Sequence, residues 1–436
     1  MLMEDILQLL NASHQNGETP LPVEVPDLSD STIATLQAQC IDLEAPGKIL
    51  QDMDVMLRHL QEGIPVSDIQ QTIALKLLPT LNEDLSLSIF PNLQRPQQKS
   101  YAQIHGLYLL LRASGLTSIT AKGKKTYWII NPEILAAYRK LSPVEQYFNL
   151  LEIWLIRADD SILGERSLDW MNRTRILNYW KLAMIDKNPY GNNPDHLSFS
   201  PGFHHVALMK LFGLIAVTSK SPAKTSAKSS AKTKSWDIKS IAPTPWGYAV
   251  LELFDRATRQ RAWNWTFYSD KSCPIGELQP ALQPYFPDWK NSLPLPEVLK
   301  SPGMRTFRVA LNKIWRRIAI SPDCNLTDLA DAILTSVDFD RDHLYQFTYP
   351  DLMGRLVDVC HPYMEESDLS TDEVEVLELP LAIGKSMEFL FDFGDCWRFT
   401  VTLESIDEDD HRSQHIDILE SHGKDPEQYG RYNDDD

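Results

Sequence analysis

A chain of 436 residues with 43% hydrophobic and 23% charged side chains has the composition of a folded, multidomain protein, not of a fibrous or disordered one. Its 42 basic and 60 acidic side chains leave a formal net charge of −18, which excludes indiscriminate nucleic-acid binding by the whole molecule while leaving room for a local basic surface. No apolar run approaches the ~20 residues needed to span a bilayer. The acidic start M-L-M-E-D-I-L-Q-L-L lacks a basic signal region, and Cys40, Cys273, Cys324, Cys360 and Cys396 are too scattered for a disulfide framework, so a cytoplasmic protein with free thiols is expected.

Residues 1–95 read as a helical region. Ile6, Leu9 and Leu10 follow helical spacing, a Pro- and acid-rich linker covers 16–30, and helices are expected at 32–43, 45–60 and 66–78, the last stopped by Pro79. Residues 96–140 form a more informative unit. A helix over 101–114, with Ile104, Leu107, Tyr108 and Leu111 on its apolar face, stops at Gly115 and leads into two strands joined by a turn at Lys122–Lys125. Helix, strand, tight basic turn, strand is the order of a winged helix.

Residues 141–258 begin with Ser142-Pro143-Val144-Glu145, a cap, a proline at the first helical position and a capping-box glutamate. The helix they open would bury Tyr147, Leu150, Leu151 and Trp154. A similar skeleton then recurs: a helix over 206–212, Gly213-Leu214, a strand at 215–218, a basic low-complexity insertion at 219–235, a strand at 236–241, and a closing helix over 249–254. Two divergent winged-helix-like units are the resulting expectation. Residues 259–302, with Trp263, Trp265, Tyr268, Phe286 and Trp289 among prolines, read as an aromatic connector.

From about Thr306 the period changes from helical to alternating. Phe307, Val309 and Leu311 share one strand face, and Ile314, Arg316, Ile318 and Ile320 share another, with Trp315 and Arg317 opposite. Asn325 caps a helix running through Ser336, and His343–Tyr349 alternates again. Met387, Phe389, Phe391 and Phe393 are expected to face inward before a Gly394-Asp395 turn and a returning strand at 397–403; an acidic tail closes the chain at 431–436.

I-W-R-R (Ile314–Arg317), D-H-L-Y-Q-F (Asp342–Phe347), F-D-F-G-D-C-W (Phe391–Trp397) and I-L-E-S-H-G-K-D-P-E-Q-Y (Ile418–Tyr429) together resemble the plasmid pRiA4b ORF-three-like domain family over residues 303–430. The resemblance implies an α+β domain of plasmids, mobile elements and bacterial chromosomes, with no settled activity. Members often carry a His two positions after the hairpin Trp; Phe399 stands there in this chain. The expected fold is therefore multidomain: α-helical and winged-helix-like N-terminal parts, then a C-terminal α+β domain with a mainly antiparallel sheet.

Candidate contact residues fall into two sets. Lys122, Lys124 and Lys125, with Lys220, Lys224, Lys228, Lys232 and Lys234, stand where wings would meet a phosphate backbone, or are solvated charge. Trp315, Arg316, Arg317, His343, Asp392, Asp395 and Trp397 mark a surface or pocket of the C-terminal domain. There the arginines either grip a ligand or pair with Asp392 and Asp395. His343, Cys360, His361 and Cys396 have metal-suited chemistry without zinc-site spacing, and His204-His205 reads as a surface pair. No nucleophile triad, P-loop or zinc-protease motif occurs. The leading expectation is a non-enzymatic protein without cofactor or metal that binds DNA or acts as a regulator. The alternatives are an adaptor for a basic protein partner and a hydrolase or nuclease with a pocket around Arg317, His343, Asp395 and Trp397.

Overall fold

A computed structural model describes residues 27–164 apart from 92, 94 and 124, then 180, 197, 201–219, 236–260, 275–364 apart from 277, 369–410 and 415–428. Lys124, Lys220, Lys224, Lys228, Lys232, Lys234, Trp263, Trp265, Tyr268, the helical spacing at Ile6–Leu10 and the tail at 431–436 lie outside the described residues. Two separate hydrophobic cores organise the rest, one gathering side chains between Leu28 and Leu293 and the other between Phe307 and Leu403.

The first core begins with α1 (Asp30–Ala38), α2 (Ile49–His59), β1 (Ile64–Val66) and α3 (Leu78–Asp84). The helix expected at 66–78 does not form. Val66 pairs with Thr126 as a strand residue, and Pro79 sits in the first turn of α3, where its missing N–H costs nothing, so it opens a helix instead of stopping one. Next come α4 (Ala102–Ala113), β2 (Thr117–Lys122) and β3 (Lys125–Ile130), which with β1 make a three-stranded antiparallel sheet in the order β1-β3-β2.

Helix α5 (Pro132–Tyr138) leads to α6 (Pro143–Ile156), whose capping box forms as expected: Ser142 Oγ accepts from the Glu145 amide and Glu145 Oε2 accepts from the Ser142 amide. Glu145 does more than cap. Its Oε1 also accepts the backbone amides of Lys290 and Asn291, tying the connector to the helix start. Trp289 stacks on Phe148 with centroids 5.2 Å apart, so this part of the connector is packed core. Then follow α7 (Phe203–Leu211), a hairpin of β4 (Ile215–Ser219) and β5 (Ile238–Pro243), α8 (Pro245–Gln260) and the short α9 (Gln279–Leu282).

Helices α4 and α7 cross closely. At Gly106 an added Cβ would stand 2.9 Å from both the His204 carbonyl oxygen and Leu208 Cγ, so only hydrogen fits. Every residue of α4 is buried.

The second core lies under a seven-stranded antiparallel sheet in the order β12-β7-β6-β11-β10-β8-β9. Its strands are β6 (Met304–Leu311), β7 (Ile314–Ile320), β8 (Tyr345–Pro350), β9 (Leu356–Cys360), β10 (Ser386–Phe391), β11 (Trp397–Asp407) and β12 (Ile416–His422). Helix α10 (Leu326–Ser336) covers one face, started by Asn325 and Asp328 in a reciprocal capping box. The expected alternation holds for Phe307, Val309, Leu311, Met387, Phe389 and Phe391, all buried. It fails at Phe393, which is 43% exposed, because Asp392 takes a left-handed φ of 56° and turns the chain out of the strand.

Candidate functional site

At the tip of the β2–β3 hairpin Lys122 and Lys125 face each other across the ladder, both exposed and neither in an ion pair among the described residues. Lys122 Nζ lies 5.7 Å from the centre of the Tyr127 ring, which holds its stem against the hairpin. The helix that precedes this hairpin is α4. Its complete burial leaves no face to enter a groove.

In the C-terminal part the adjacent arginines of I-W-R-R part company. Arg316 points inward and is 2% exposed. It donates from Nε to the Ser336 carbonyl at 2.6 Å and from Nη1 to the Trp315 and His422 carbonyls at 2.9 and 2.8 Å, and pairs with Asp425. It thus staples the end of α10 to the end of β12. Arg317 points to the open sheet face, where Glu404 and Glu420 hold it and where it covers Trp315 with its centre 5.3 Å from the ring. Arg308 lies over the same ring at 5.1 Å, and His422 stacks on it at 5.4 Å. Trp315 is a covered ring, not an open platform.

Neither arginine pairs with Asp392 or Asp395, so that expected pairing is corrected. Asp392 instead meets His343 at 3.2 Å and accepts the amides of Gly394 and Asp395 on Oδ1. The turn-stabilising carboxylate is therefore Asp392, while Asp395 is exposed. Trp397 packs edge-on against Phe339 at 4.9 Å on the core side, and its indole N–H is buried without a partner among the described residues. Arg317 and Trp397 occupy opposite sheet faces, so the four residues of the expected hydrolase pocket are not brought together.

The densest cluster of chemistry-bearing side chains is elsewhere, and the sequence reading missed it. His204 and His205, read as a surface pair, are buried, and both ring Nε2 atoms reach Asp160 Oδ1, at 2.9 and 3.2 Å. Their backbone directions do differ as adjacent helical residues must, but the rings converge on one oxygen with centroids 4.1 Å apart. His105, from α4, stands edge-on to His204 at 5.3 Å. Asp160 comes from a 3-10 turn, Asp160–Leu163, started by Asp159. Burial works against the Asp160 charge, but His205 and His204 outweigh it and hold the carboxyl well below its usual range. Burial, reinforced by His204, pushes His105 down to about 3.

The ligand atoms of Asp160, His204 and His205 lie within 4.8 Å of one another, close enough to suggest a metal centre; among the described residues no other set of metal-suited side chains does so. The ring nitrogens argue otherwise. Trp154 Nε1, which can only donate, bonds His205 Nδ1 at 3.0 Å. His205 therefore accepts on Nδ1 and carries its proton on Nε2. Gln98 Oε1 is fixed by the Ile73 amide at 2.7 Å, which turns its NH₂ group to His105 Nδ1 at 3.2 Å and sets the same tautomer there. A metal-bound imidazole needs a bare Nε2 and an acceptor facing its other N–H. His205, one of the three, has the reverse, so the set does not fit a metal; it reads as a hydrogen-bonded clamp of α6, α7 and the 160–163 turn, with the His105 ring of α4 packed edge-on against it.

Residues 306–431 match the family described as plasmid pRiA4b ORF-3-like protein. The C-terminal part is a pRiA4b ORF-3-like domain. A crystal structure of a protein of unknown function from Methanosarcina mazei Go1 aligns with a TM-score of 0.26 at 20% identity, covering 28% of this chain and 71% of that one. No curated protein matches the chain.

The pRiA4b ORF-3-like part also accounts for the whole net charge. Residues 301–436 hold 12 Lys and Arg against 30 Asp and Glu, leaving 30 of each in residues 1–300. Among the described residues no helix is long and apolar enough to cross a membrane.

Proposed function

We propose that this protein acts by contact, without catalysis, and binds the nucleic-acid backbone through the wings of its N-terminal part, in a plasmid, mobile-element or regulatory setting. Carrying the reading is the element order: α2, β1, α3, α4, β2 and β3 with a β1-β3-β2 sheet is winged-helix order, and it presents Lys122 and Lys125 at an exposed tip. The charge division supports it, because the −18 that opposed nucleic-acid binding resides outside residues 1–300. With α4 buried, such binding would contact phosphates and read no base edges. Duplex DNA titrated by fluorescence anisotropy at roughly 50 and 200 mM salt tests it. Expected is salt-sensitive binding with little sequence preference, weakened by Lys122→Ala/Lys125→Ala and by removal of 219–235. Salt-insensitive binding, or none at the lower salt, sinks the reading.

The acidic domain favours a second reading, an adaptor for a basic protein partner. Stoichiometric recovery of one partner after nuclease treatment, with no DNA affinity in the same preparation, would decide for it.

A further inference from the structure

Among the described residues, contacts at Arg112 and Ser161 join the pRiA4b ORF-3-like domain to the elements that carry the histidine clamp. Arg112, on α4 two turns beyond His105 and only 3% exposed, donates from Nε to the Met353 carbonyl at 3.1 Å in the turn between β8 and β9. Gly354 lies so close to that guanidinium that any side chain there would collide with it. Ser161, next to Asp160, accepts the Leu356 amide on Oγ at 3.2 Å. One turn of the C-terminal domain thus docks on α4 and on the 160–163 turn at once.

We propose that the α4–α7 crossing is an acid-sensitive latch: proton uptake by its buried histidines opens the crossing and releases the domain held by Arg112 and Ser161. The clamp is built for neutral rings. A proton on His105 Nδ1 or His205 Nδ1 would face the N–H groups of Gln98 or Trp154 and break both bonds. The charges around His105 give little help. Lys99 on the 98–100 turn and Arg112 on its own helix are cationic, and Asp160 is already claimed by His204 and His205. Arg157 and Asp159 lie buried just before Asp160.

The sign follows from the lowered His105 value of about 3 against an ordinary 6.5. A histidine lowered on folding contributes stability that is present above its ordinary value and lost as pH falls below it. That lowering of His105 alone makes the opened form about 30-fold more populated at pH 5 than at pH 7.5. Asp160, held low, pushes the same way only in stronger acid.

Cys40 and Cys396 are exposed free thiols, one in each part, and can carry a dye pair in a Cys273→Ser background. Energy transfer would be followed from pH 7.5 to 5.0 with the helical circular-dichroism signal recorded alongside. Transfer is expected to fall while the helical signal holds, and His105→Gln is expected to remove most of the ~30-fold response. Arg112→Ala keeps the test decisive if that variant folds poorly: it should lower transfer already at pH 7.5 with native helical signal. Transfer that is flat to pH 5, that falls only with the helical signal, or that responds unchanged in the folded variants overturns the latch.

Discussion

Arg316 and Arg317 share one motif and one strand, yet burial gives them opposite weights. Truncating Arg316 leaves the Ser336, Trp315 and His422 carbonyls without their donor under a packed sheet, so Arg316→Ala should cost about 3–5 kcal/mol in urea unfolding. Arg317→Ala breaks half-exposed ion pairs and should cost about 1 kcal/mol or less. Equal losses for the two would refute the staple. Asp52 offers a test of opposite sign. It is fully buried, and although Ser86 donates to both its oxygens, burial raises it to about 6. A raised carboxylate contributes stability below its ordinary 3.8 that is lost as pH rises through about 6. Asp52→Asn keeps an acceptor for the Ser86 amide and gains a donor for its hydroxyl. It should therefore raise the melting temperature at pH 8, by roughly 2 kcal/mol of stability, and do little at pH 4. A variant less stable at pH 8 would show that the charge is wanted there.

At the scale of elements, what could be read from the sequence was whatever local chemistry decides. The Ser142–Glu145 box, the Asn325 cap and the alternation of β6 and β10 all formed where expected, since each depends on neighbours in sequence. The misses depended on distant partners. Val66 became a strand residue because Thr126 lies across from it, and His204 with His205 turned inward because Asp160, some 44 residues earlier, supplies the oxygen. The clamp left one trace in the sequence, a His-His pair on a helix, which pattern alone assigns to the surface. The close approach of α4 and α7 left another in Gly106. Gly106→Val should push the helices apart and cost about 1–3 kcal/mol, seen as a lower midpoint for the N-terminal core alone. A neutral outcome would mean the crossing yields without strain.

At the scale of the whole molecule, the described residues form two separate hydrophobic cores, with contacts between them at Arg112 and Ser161. Calorimetry near neutral pH should accordingly resolve two unfolding events, the second belonging to the seven-stranded domain. One sharp event with matching van't Hoff and calorimetric enthalpies would show the cores to be a single cooperative unit.

The uneven placement of charge makes the molecule a macroscopic electric dipole, balanced over its first 300 residues and strongly negative beyond them. In the field of a polyanion such a body is turned before it is captured, its negative pole swung outward. On the proposed backbone-binding reading, the pRiA4b ORF-3-like domain is the part that such a field repels, and it is left to attract whatever in the surrounding solution carries positive charge.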